Sequence, residues 1–227
     1  DYHKILKKKL KELCEFISLN SPEHSHVPPG RDFENVQGHF LEGGILLKSY
    51  VDDGPVMDKV WAQKAGIGWM GKHSNIINPD YGSWFFLSEI ITNIDFGNYD
   101  TPIEDMCGSC MLCISACPTG AIESEYVVNA NKCISYQTIE NRGDIPPEIN
   151  LDGWIFGCDV CQDVCPYNSP KYNHVTEEKG FYPKPELLPL TQEGAIEFTE
   201  EQFAETFADS PVKRTKFSGW KRNLERF

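Results

Sequence analysis

The amino-acid sequence predicts a mixed helix-and-strand protein, of the α/β or α+β class, built from two domains. Three features of the 227-residue chain support this prediction. Apolar residues recur at helical spacing near the start of the chain, and β-branched and aromatic residues are concentrated between residues 74 and 94. Eight of the nine cysteines then lie within residues 107–165. A chain of this length can bury the core of one large domain or of two small ones.

The first predicted element is a helix within KILKKKLKELCEFI, residues 4–17. Its apolar positions follow the helical period, and they are Leu6, Leu10, Leu13, Cys14 and Ile17. Cys14 is therefore expected to be a buried core residue. The lysines of residues 1–11 would form either the solvated face of this helix or a basic footprint for nucleic acid.

A second helix is predicted for PVMDKVWAQKA, residues 55–65. Pro55 suits its first turn and Gly66 suits its end. Two strands are predicted to follow, in residues 74–78 and residues 83–94, because both segments are rich in β-branched or aromatic residues.

Three glycines near the end of this second helix, Gly66, Gly68 and Gly71, formally match the pattern GxGxxG. They follow a helix rather than a strand, so a dinucleotide site is not indicated. The segment also lacks the spacing of a phosphate-binding P-loop. We interpret these glycines as positions where the backbone approaches another group closely.

The composition is that of an ordinary globular protein, with 40% apolar and 24% charged residues. No run of eighteen apolar residues occurs, so no membrane span is predicted. The net charge is −13, but residues 1–11 carry +4 and residues 211–227 carry +5, which leaves −22 between them. Local basic regions of this kind, rather than total charge, determine affinity for nucleic acid.

The cysteines form two runs that are typical of iron–sulfur proteins. CGSCMLCISACP, residues 107–118, has the bacterial ferredoxin spacing, in which three cysteines hold one 4Fe–4S cluster and the fourth serves another. CDVCQDVCP, residues 158–166, adds three cysteines, and Cys133 makes eight. The spacing assigns Cys107, Cys110, Cys113 and Cys165 to a first cluster, and Cys117, Cys133, Cys158 and Cys161 to a second.

Two other interpretations of these cysteines are weaker. Zinc is the main alternative, since CxxC pairs also form zinc sites, but a four-cysteine run that ends in proline favours iron–sulfur. A disulfide scaffold is disfavoured because the number of cysteines is odd and their spacing is tight.

Residues 50–92 and the two cysteine runs together resemble the epoxyqueuosine reductase family, which completes the queuosine base at the wobble position of tRNA. The resemblance is carried by YVDDGPVMDKVWAQKAGIGWMGKHSNIINPDYGSWFFLSEIIT, by CISYQTIE from Cys133, and by GCDVCQDVCPYN from Gly157. It implies a nitroreductase-like cobalamin-binding domain (residues 1–100), a bacterial two-cluster 4Fe–4S ferredoxin-like domain (residues 101–174) and a segment that leads into helical repeats (residues 175–227).

The chain also departs from this family pattern. It opens with Asp1 rather than Met and has no signal-peptide core, so we expect it to begin after an N-terminal portion of the family and to end before the repeats are complete. Residues 21–44 form a longer connection than usual and are expected to be a loop. Its histidines, His24, His26 and His39, lack metal-ligand spacing, so a solvated loop is preferred to a metal site.

The resemblance implies that Asp52, the first acid of VDDGP, is the proton donor. Burial beside the corrin would raise the pKa of this carboxyl, as a donor needs. Neighbouring strand residues point to opposite faces, so Asp53 is expected to face solvent or to cap a helix. The cobalamin contacts implied are Asp52, Lys72, His73, Ile76, Leu87, Ser135, Tyr136 and Gly143. His73 is expected at the corrin edge rather than on cobalt.

The implied reaction is the reductive deoxygenation of epoxyqueuosine to queuosine in tRNA. An external donor such as ferredoxin or flavodoxin would pass electrons through both clusters to cobalamin, and Asp52 would protonate the leaving oxygen. Asn141 and Arg142 are expected to contact the anticodon loop. We further expect a monomeric, cytoplasmic protein without a membrane partner.

Two rival functions remain open. A reductive dehalogenase also couples cobalamin to two clusters, but that class typically uses a tyrosine donor and is exported, whereas this chain offers Asp52. A ferredoxin-like electron carrier would leave residues 1–106 without a role. Corrin absorbance would separate the two enzymes from the carrier.

Overall fold

The computed structural model describes residues 2–20, 39–40, 45–172, 175–183 and 192–226. Two compact units emerge from the contacts between residues. The N-terminal unit comprises Tyr2–Ile67 and Phe86–Ile103, and the cysteine unit comprises Gly68–Phe85 and Glu104–Phe227. The glycine-bearing segment thus belongs largely with the cysteines, while the domain boundaries drawn from the sequence stay a prediction.

The N-terminal unit combines two helices with an antiparallel sheet. Its elements in the described ranges are α1 (Tyr2–Asn20), β1 (His39–Phe40), β2 (Leu46–Tyr50), α2 (Asp58–Lys64) and β5 (Glu89–Thr92). The strand order is β1-β2-β5, and Tyr50 of β2 lies opposite Glu89 of β5. Helix α1 confirms the first predicted helix. The rest of the predicted loop at 21–44, with His24 and His26, lies outside the described residues.

Two of the apolar residues that the helical period of α1 predicts pack against the core of this unit, whereas Leu13 is exposed. Ile45, Leu47 and Ile94 are buried together, and Cys14 and Ile17 of α1 pack against them. Cys14 is half-buried, and burial raises the pKa of its thiol. Cys14 thus lies at the edge of the core, so the prediction of a buried core residue is only partly met.

Helix α2 confirms the second predicted helix, but it starts later. It begins at Asp58 rather than at Pro55. Its end agrees with the prediction, because Gly66 has a backbone φ of 67°. A side chain there would also approach the carbonyl oxygen of Thr101 to 2.6 Å. Glycine is therefore required both by its conformation and by the lack of space.

The two strands predicted after α2 form only in part. In the first segment, β4 (Ile76–Ile77) pairs with β3 (Trp69–Met70) as a short hairpin. In the second, only β5 forms, and residues 83–88 are irregular. The prediction of a strand through Leu87 is wrong, because aromatic content favours extended backbone while a strand also needs a partner, and no described strand pairs with these residues.

The cysteine unit is built from short elements joined by loops. Besides β3 and β4 it contains α3 (Leu112–Ala116), β6 (Ile122–Ser124), β7 (Val127–Val128), α4 (Ile134–Ile139), α5 (Val160–Asp163), α6 (Gln192–Ile196), α7 (Glu200–Thr206) and α8 (Lys216–Glu225). One apolar core lies under α4 and contains Ile134, Ile145, Ile149 and Leu151. Another joins α6, α7 and α8 and contains Ala195, Phe203, Phe207, Trp220 and Leu224.

Side chains of α8 complete the end of α4. The Arg222 guanidinium donates to the carbonyl oxygens of Gln137 (2.7 Å) and Asn141 (2.9 Å). The Asn223 amide donates to the carbonyl oxygen of Thr138 at 2.9 Å. The last carbonyls of a helix have no partner within it, so these bonds satisfy acceptors that would otherwise be left buried and unpaired. These hydrogen bonds hold α4 in place, and α4 begins directly after Cys133.

Within the described ranges, the structure contains no helix of the length and apolarity that crossing a lipid bilayer requires.

Candidate functional site

The first group of cysteines surrounds a small cavity in the cysteine unit. All four members line it, namely Cys107, Cys110, Cys113 and Cys165. Cys113 lies on α3 and the others lie in adjoining loops. The cavity volume is about 40 Å³, whereas about 10–15 Å³ is enough for one water molecule. The space therefore suits a group of several atoms.

The second group of cysteines consists of Cys117, Cys133, Cys158 and Cys161. Burial, followed by the charges of Cys133 and Cys117, raises the pKa of the Cys158 thiol. Burial and then the neighbouring Cys158 and Cys133 raise the pKa of Cys161 to about 12. These mutual effects show that cysteines separated in the chain lie together. The charges that act on Cys158 and Cys161 come from members of this group and, for Cys161, also from Cys113.

The chemistry of both groups suits a polynuclear metal centre. Burial also raises the pKa of the Cys113 and Cys165 thiols. Buried thiolates that repel one another need the positive charge of a metal centre to stabilise them. Among the described residues, no three His, Cys, Asp or Glu side chains converge closely enough for a single ion.

All nine cysteines are free thiols, so the disulfide scaffold is not formed. Cys117 differs from the other members of its group in its hydrogen bonds. Burial acts to raise the pKa of its thiol, but backbone N–H groups of Ile122, Ala121 and Thr119 outweigh burial and lower it. The Ala121 amide donates to Cys117 Sγ at 3.2 Å. Such donors stabilise the thiolate, which is the form that binds metal.

The loop that carries Cys107 is held by two buried residues of the segment Gly68–Phe85. Trp69, fully buried in β3, donates its indole N–H to Cys107 Sγ, with an N–S distance of 3.4 Å. Lys72, only 3% exposed, donates from Nζ to the carbonyl oxygen of Gly108 (2.6 Å) and to Glu125 Oε1 (2.8 Å). The hydrogen bonds to Glu125 raise the pKa of Lys72 despite its burial.

The glycines of the GxGxxG pattern make this placement possible. A side chain at Gly68 would lie 2.7 Å from Cγ2 of Ile76, and one at Gly71 would lie 2.6 Å from Cδ1 of Ile77. Both glycines therefore allow β3 to pack against β4. The interpretation of close backbone approach is confirmed, and the groups approached belong to the protein.

The acid pair of the N-terminal unit lies in a turn rather than on a strand. Strand β2 ends at Tyr50, and Asp52 has a backbone φ of 51°. The prediction that Asp52 and Asp53 occupy opposite strand faces is therefore wrong, because the chain has already left the sheet. Asp52 is exposed, and its Oδ2 accepts a hydrogen bond from the Tyr2 hydroxyl at 3.3 Å. Within the described part of the N-terminal unit, Asp52 is therefore not buried, contrary to the expectation.

Asp53 is engaged in a different way from its neighbour. It forms an ion pair with Lys7, and its Oδ1 accepts from the Val51 amide at 2.9 Å. The hydrogen bond from Lys7 and then that from Val51 lower the pKa of this carboxyl. Asp53 is therefore held as a carboxylate, and the two acids are set apart by their partners rather than by strand alternation.

Glu89 is an ionisable residue of this unit that sequence reasoning missed. Its Oε2 is buried and accepts no hydrogen bond. Burial, then the neighbouring Asp58 and finally Asp52, raise the pKa of Glu89 to about 7. The signal available in the sequence was an acid at the start of the apolar stretch EIIT, where an unpaired carboxylate is costly.

The other residues implied for cobalamin differ in accessibility. Lys72, His73 and Ile76 are buried, and Lys72 and His73 line the cavity of the first cysteine group. In the same unit, Ser135 is half-buried, whereas Tyr136 and Gly143 are exposed. Leu87 is half-buried in the N-terminal unit, before β5 begins.

The two residues expected to contact tRNA are engaged in the turn that follows α4. Asn141 donates from its amide to Gln137 Oε1 (2.6 Å) and accepts from the Gly143 amide (2.8 Å). The Arg142 guanidinium donates to the carbonyl oxygens of Ile139 and Arg214, each at 2.8 Å. Both side chains therefore stabilise this turn.

Comparison with known proteins identifies a family for the chain. Residues 106–168 match the model of a 4Fe–4S double cluster binding domain, so the cysteine unit contains such a domain. An epoxyqueuosine reductase from Synechocystis sp. is 40% identical over 99% of this chain and 71% of its own length. The chain spans about half to two thirds of the curated relatives that it matches.

Solved structures give the same result for the fold. An epoxyqueuosine reductase crystallised with an epoxyqueuosine-modified stem loop of tyrosine tRNA aligns with a TM-score of 0.81 and 35% identity, over 99% of this chain and 53% of that one. Another, from Bacillus subtilis, has a catalytic loop with an aspartate swung out of the active site. It aligns with a TM-score of 0.79 and 34% identity, over 99% and 53% of the two chains.

Proposed function

Because this chain belongs to the epoxyqueuosine reductase family, we propose that the protein reduces epoxyqueuosine to queuosine in the wobble position of tRNA. The epoxide oxygen leaves as water and an alkene remains, so each turnover consumes two electrons and two protons. The chain covers 53% of the length of its solved neighbours. The activity is accordingly proposed for the whole protein.

The observation that carries this proposal is the pair of four-cysteine groups. We assign Cys107, Cys110, Cys113 and Cys165 to one 4Fe–4S cluster, and Cys117, Cys133, Cys158 and Cys161 to the other. Each group joins cysteines from distant parts of the chain, and both lie within the segment that matches a double-cluster domain. Two clusters provide a one-electron relay, which suits a reduction that needs two electrons in sequence.

Cobalamin is the further cofactor of the proposal, and family membership supports it. When bound, it supplies the low-valent cobalt chemistry that breaks the carbon–oxygen bond. Tyr136 and Gly143, which are exposed, and Ser135, which is half-buried, fit a role in holding a large cofactor. Lys72, His73 and Ile76 are buried and fit that role less well.

Asp52 is the proposed proton donor. Its place in a turn, exposed beyond the end of β2, would let the carboxyl approach a substrate without distortion of the sheet. The hydrogen bond from Tyr2 orients the carboxyl. Protonation of the departing epoxide oxygen avoids the formation of an alkoxide, which is the usual gain from a general acid. The catalytic aspartate loop of the Bacillus subtilis relative supports this assignment.

The proposed macromolecular substrate is the anticodon loop of tRNA that bears epoxyqueuosine. The solved neighbour that holds such a stem loop supports it. Asn141 and Arg142 would contribute through the shape of the turn that they stabilise, since their polar groups bond within the protein. The excess of positive charge in residues 1–11 and 211–227 would supply phosphate contacts. A ferredoxin or flavodoxin would supply electrons to the monomeric, cytoplasmic protein.

The test uses the full-length protein, loaded anaerobically with iron, sulfide and cobalamin. It is given a chemical reductant and an anticodon stem loop that carries epoxyqueuosine. Nucleoside mass spectrometry should show the loss of one oxygen atom from the modified base. A parallel incubation with an organohalide tests the dehalogenase alternative. If the protein holds both clusters and cobalamin but leaves the epoxide intact, the proposal is rejected.

A further inference from the structure

The segment Gly68–Phe85 contacts the first cysteine group through two buried side chains, Trp69 and Lys72. Trp69 is fully buried, and its ring meets the ring of Tyr167 edge-on at a centroid distance of 4.8 Å. Tyr167 follows Cys165 by two residues, so Trp69 contacts both ends of the first group. Its N–H is aimed at Cys107 Sγ at 3.4 Å. The indole has a single N–H donor, and a cysteine sulfur receives it.

Lys72 holds the same loop three residues later in the chain. Its ammonium donates to the carbonyl oxygen of Gly108, the residue after Cys107, and lies 3.8 Å from Met111 Sδ. Its own carbonyl oxygen accepts from the Tyr126 amide at 3.0 Å. A lysine with 3% exposure is rare unless it is paired. Here Glu125, which is half-exposed, supplies the pairing carboxylate.

The two cysteine groups receive different donors. In the first group, Cys107 accepts a side-chain N–H from the segment Gly68–Phe85, and a buried ammonium lies on the adjacent peptide. In the second group, Cys117 accepts from the amide of Ala121, which lies four residues further along the chain. The first group therefore depends on residues far away in the sequence, whereas the donors to Cys117 lie within five residues of it.

We propose that Trp69 and Lys72 raise the reduction potential of the first cluster above the value it would have without them. A 4Fe–4S cluster becomes more negative when it accepts one electron. Hydrogen-bond donors to its sulfurs and nearby positive charge stabilise that added charge. The inference rests on the ligation proposed above, and it gives Lys72 the role of a residue that positions and tunes the cluster.

The electron balance needs nothing beyond the proposed donor. One electron enters the oxidised cluster, and no bond is made or broken in the protein. Trp69 keeps its proton, because the indole N–H acts only as a hydrogen-bond donor. A higher potential at the first cluster makes transfer from the second cluster to the first more favourable.

The experiment is a potentiometric titration of the full-length, anaerobically reconstituted protein, followed by EPR. Trp69→Phe removes the N–H and keeps an aromatic ring, and Trp84→Phe, at an exposed site of the same unit, is its control. Lys72→Met removes the ammonium. Its control is Lys179→Met, which removes an exposed ammonium of the same unit at a position well separated in the sequence from every cysteine of both groups.

In Trp69→Phe and in Lys72→Met, one of the two reduction steps should move to lower potential and the other should stay. At the potential where the native cluster is half reduced, the ratio of reduced to oxidised cluster should fall by roughly three- to tenfold, which is the effect of one hydrogen bond. For this one-electron couple, a tenfold change corresponds to about 59 mV. The two controls should leave both steps in place.

The iron content of the native protein shows whether a negative result overturns the proposed ligation or only the tuning role. A native protein without about eight irons per chain would reject the proposed ligation. Eight irons with unmoved potentials, or with both steps moved equally, would overturn the tuning role alone. If Trp69→Phe fails to hold its cluster, native protein labelled with ¹⁵N in the indole ring decides the matter. Pulsed EPR should detect an indole nitrogen coupled to one cluster, and its absence would overturn the inference.

Discussion

The cysteine unit and the N-terminal unit bring their reactive side chains together in different ways. In the cysteine unit, α3 and α5 each carry one cysteine of a closely spaced run, and the other cysteines of the run lie in the adjoining loops, so most of the proposed ligands are placed by local spacing. In the N-terminal unit, Asp52, Asp58 and Glu89 come from a turn, a helix and a strand, and they meet only through folding. A sequence pattern can therefore reveal the first kind of site, while the second kind becomes visible only in three dimensions.

The largest expected effect tests the cysteine unit, where local spacing places most of the proposed ligands. Cys133→Ser should remove the second cluster and spare the first, because only the second group loses a ligand. Iron should fall from about eight atoms per chain to about four. The measurement is iron and sulfide content with EPR of the reduced protein. Cys14→Ser, which changes the one cysteine outside both groups, should keep all the iron. Equal loss of both EPR signals would show that folding, rather than ligation, depends on Cys133.

The next effect concerns the turn that carries both acids. Asp52→Asn should keep both clusters and cobalamin but lose about 10²–10⁴ in turnover, because an amide cannot act as a general acid. Single-turnover rates at equal cofactor loading provide the measurement. Asp53→Asn is the matched control and should retain most activity, since Asp53 is paired with Lys7. The reverse result would exchange the roles of the two acids.

A smaller effect is expected from the long-range support of α4. Arg222→Met leaves the carbonyl oxygens of Gln137 and Asn141 without their donor. The free energy of unfolding should fall by about 1.5–3 kcal/mol, which is typical of hydrogen bonds to a charged group. Urea unfolding under anaerobic conditions measures it. Arg222→Lys should recover only part of the loss, because lysine keeps the charge without the planar fork. Unchanged stability in Arg222→Met would show that water replaces these bonds.

The smallest expected effect is a change in pH dependence in the N-terminal unit. The folded protein raises the pKa of Glu89 from 4.5 to about 7, so folding binds a proton that the unfolded chain releases. The resulting stability is fully present below about pH 4.5 and is lost as the pH rises through about 7. Glu89→Gln should flatten this part of the profile of unfolding free energy against pH. The exposed Glu12→Gln should not, and an identical slope in both variants would contradict the shift.

Much of the fold could be predicted from periodicity and spacing. The helical period located α1, and Gly66 located the end of α2, because both depend on interactions within a few residues. Trp84, Phe86 and Leu87 suggested a strand that does not form, since strand pairing depends on a distant partner. Strand alternation likewise failed for Asp52, because nothing local announced that β2 ends at Tyr50.

The sequence by itself predicted which eight cysteines bind the clusters and how they divide into two groups. Cysteines three positions apart are expected to face one centre almost regardless of what surrounds them. Only the tertiary structure decided which side chains lie around these cysteines and around the acids of the N-terminal unit. It placed the Trp69 N–H on Cys107, turned Lys72 toward Gly108, and buried Glu89 beside Asp58. These contacts join residues some 30 to 40 positions apart, and their energies depend on burial and direction, which no local pattern encodes.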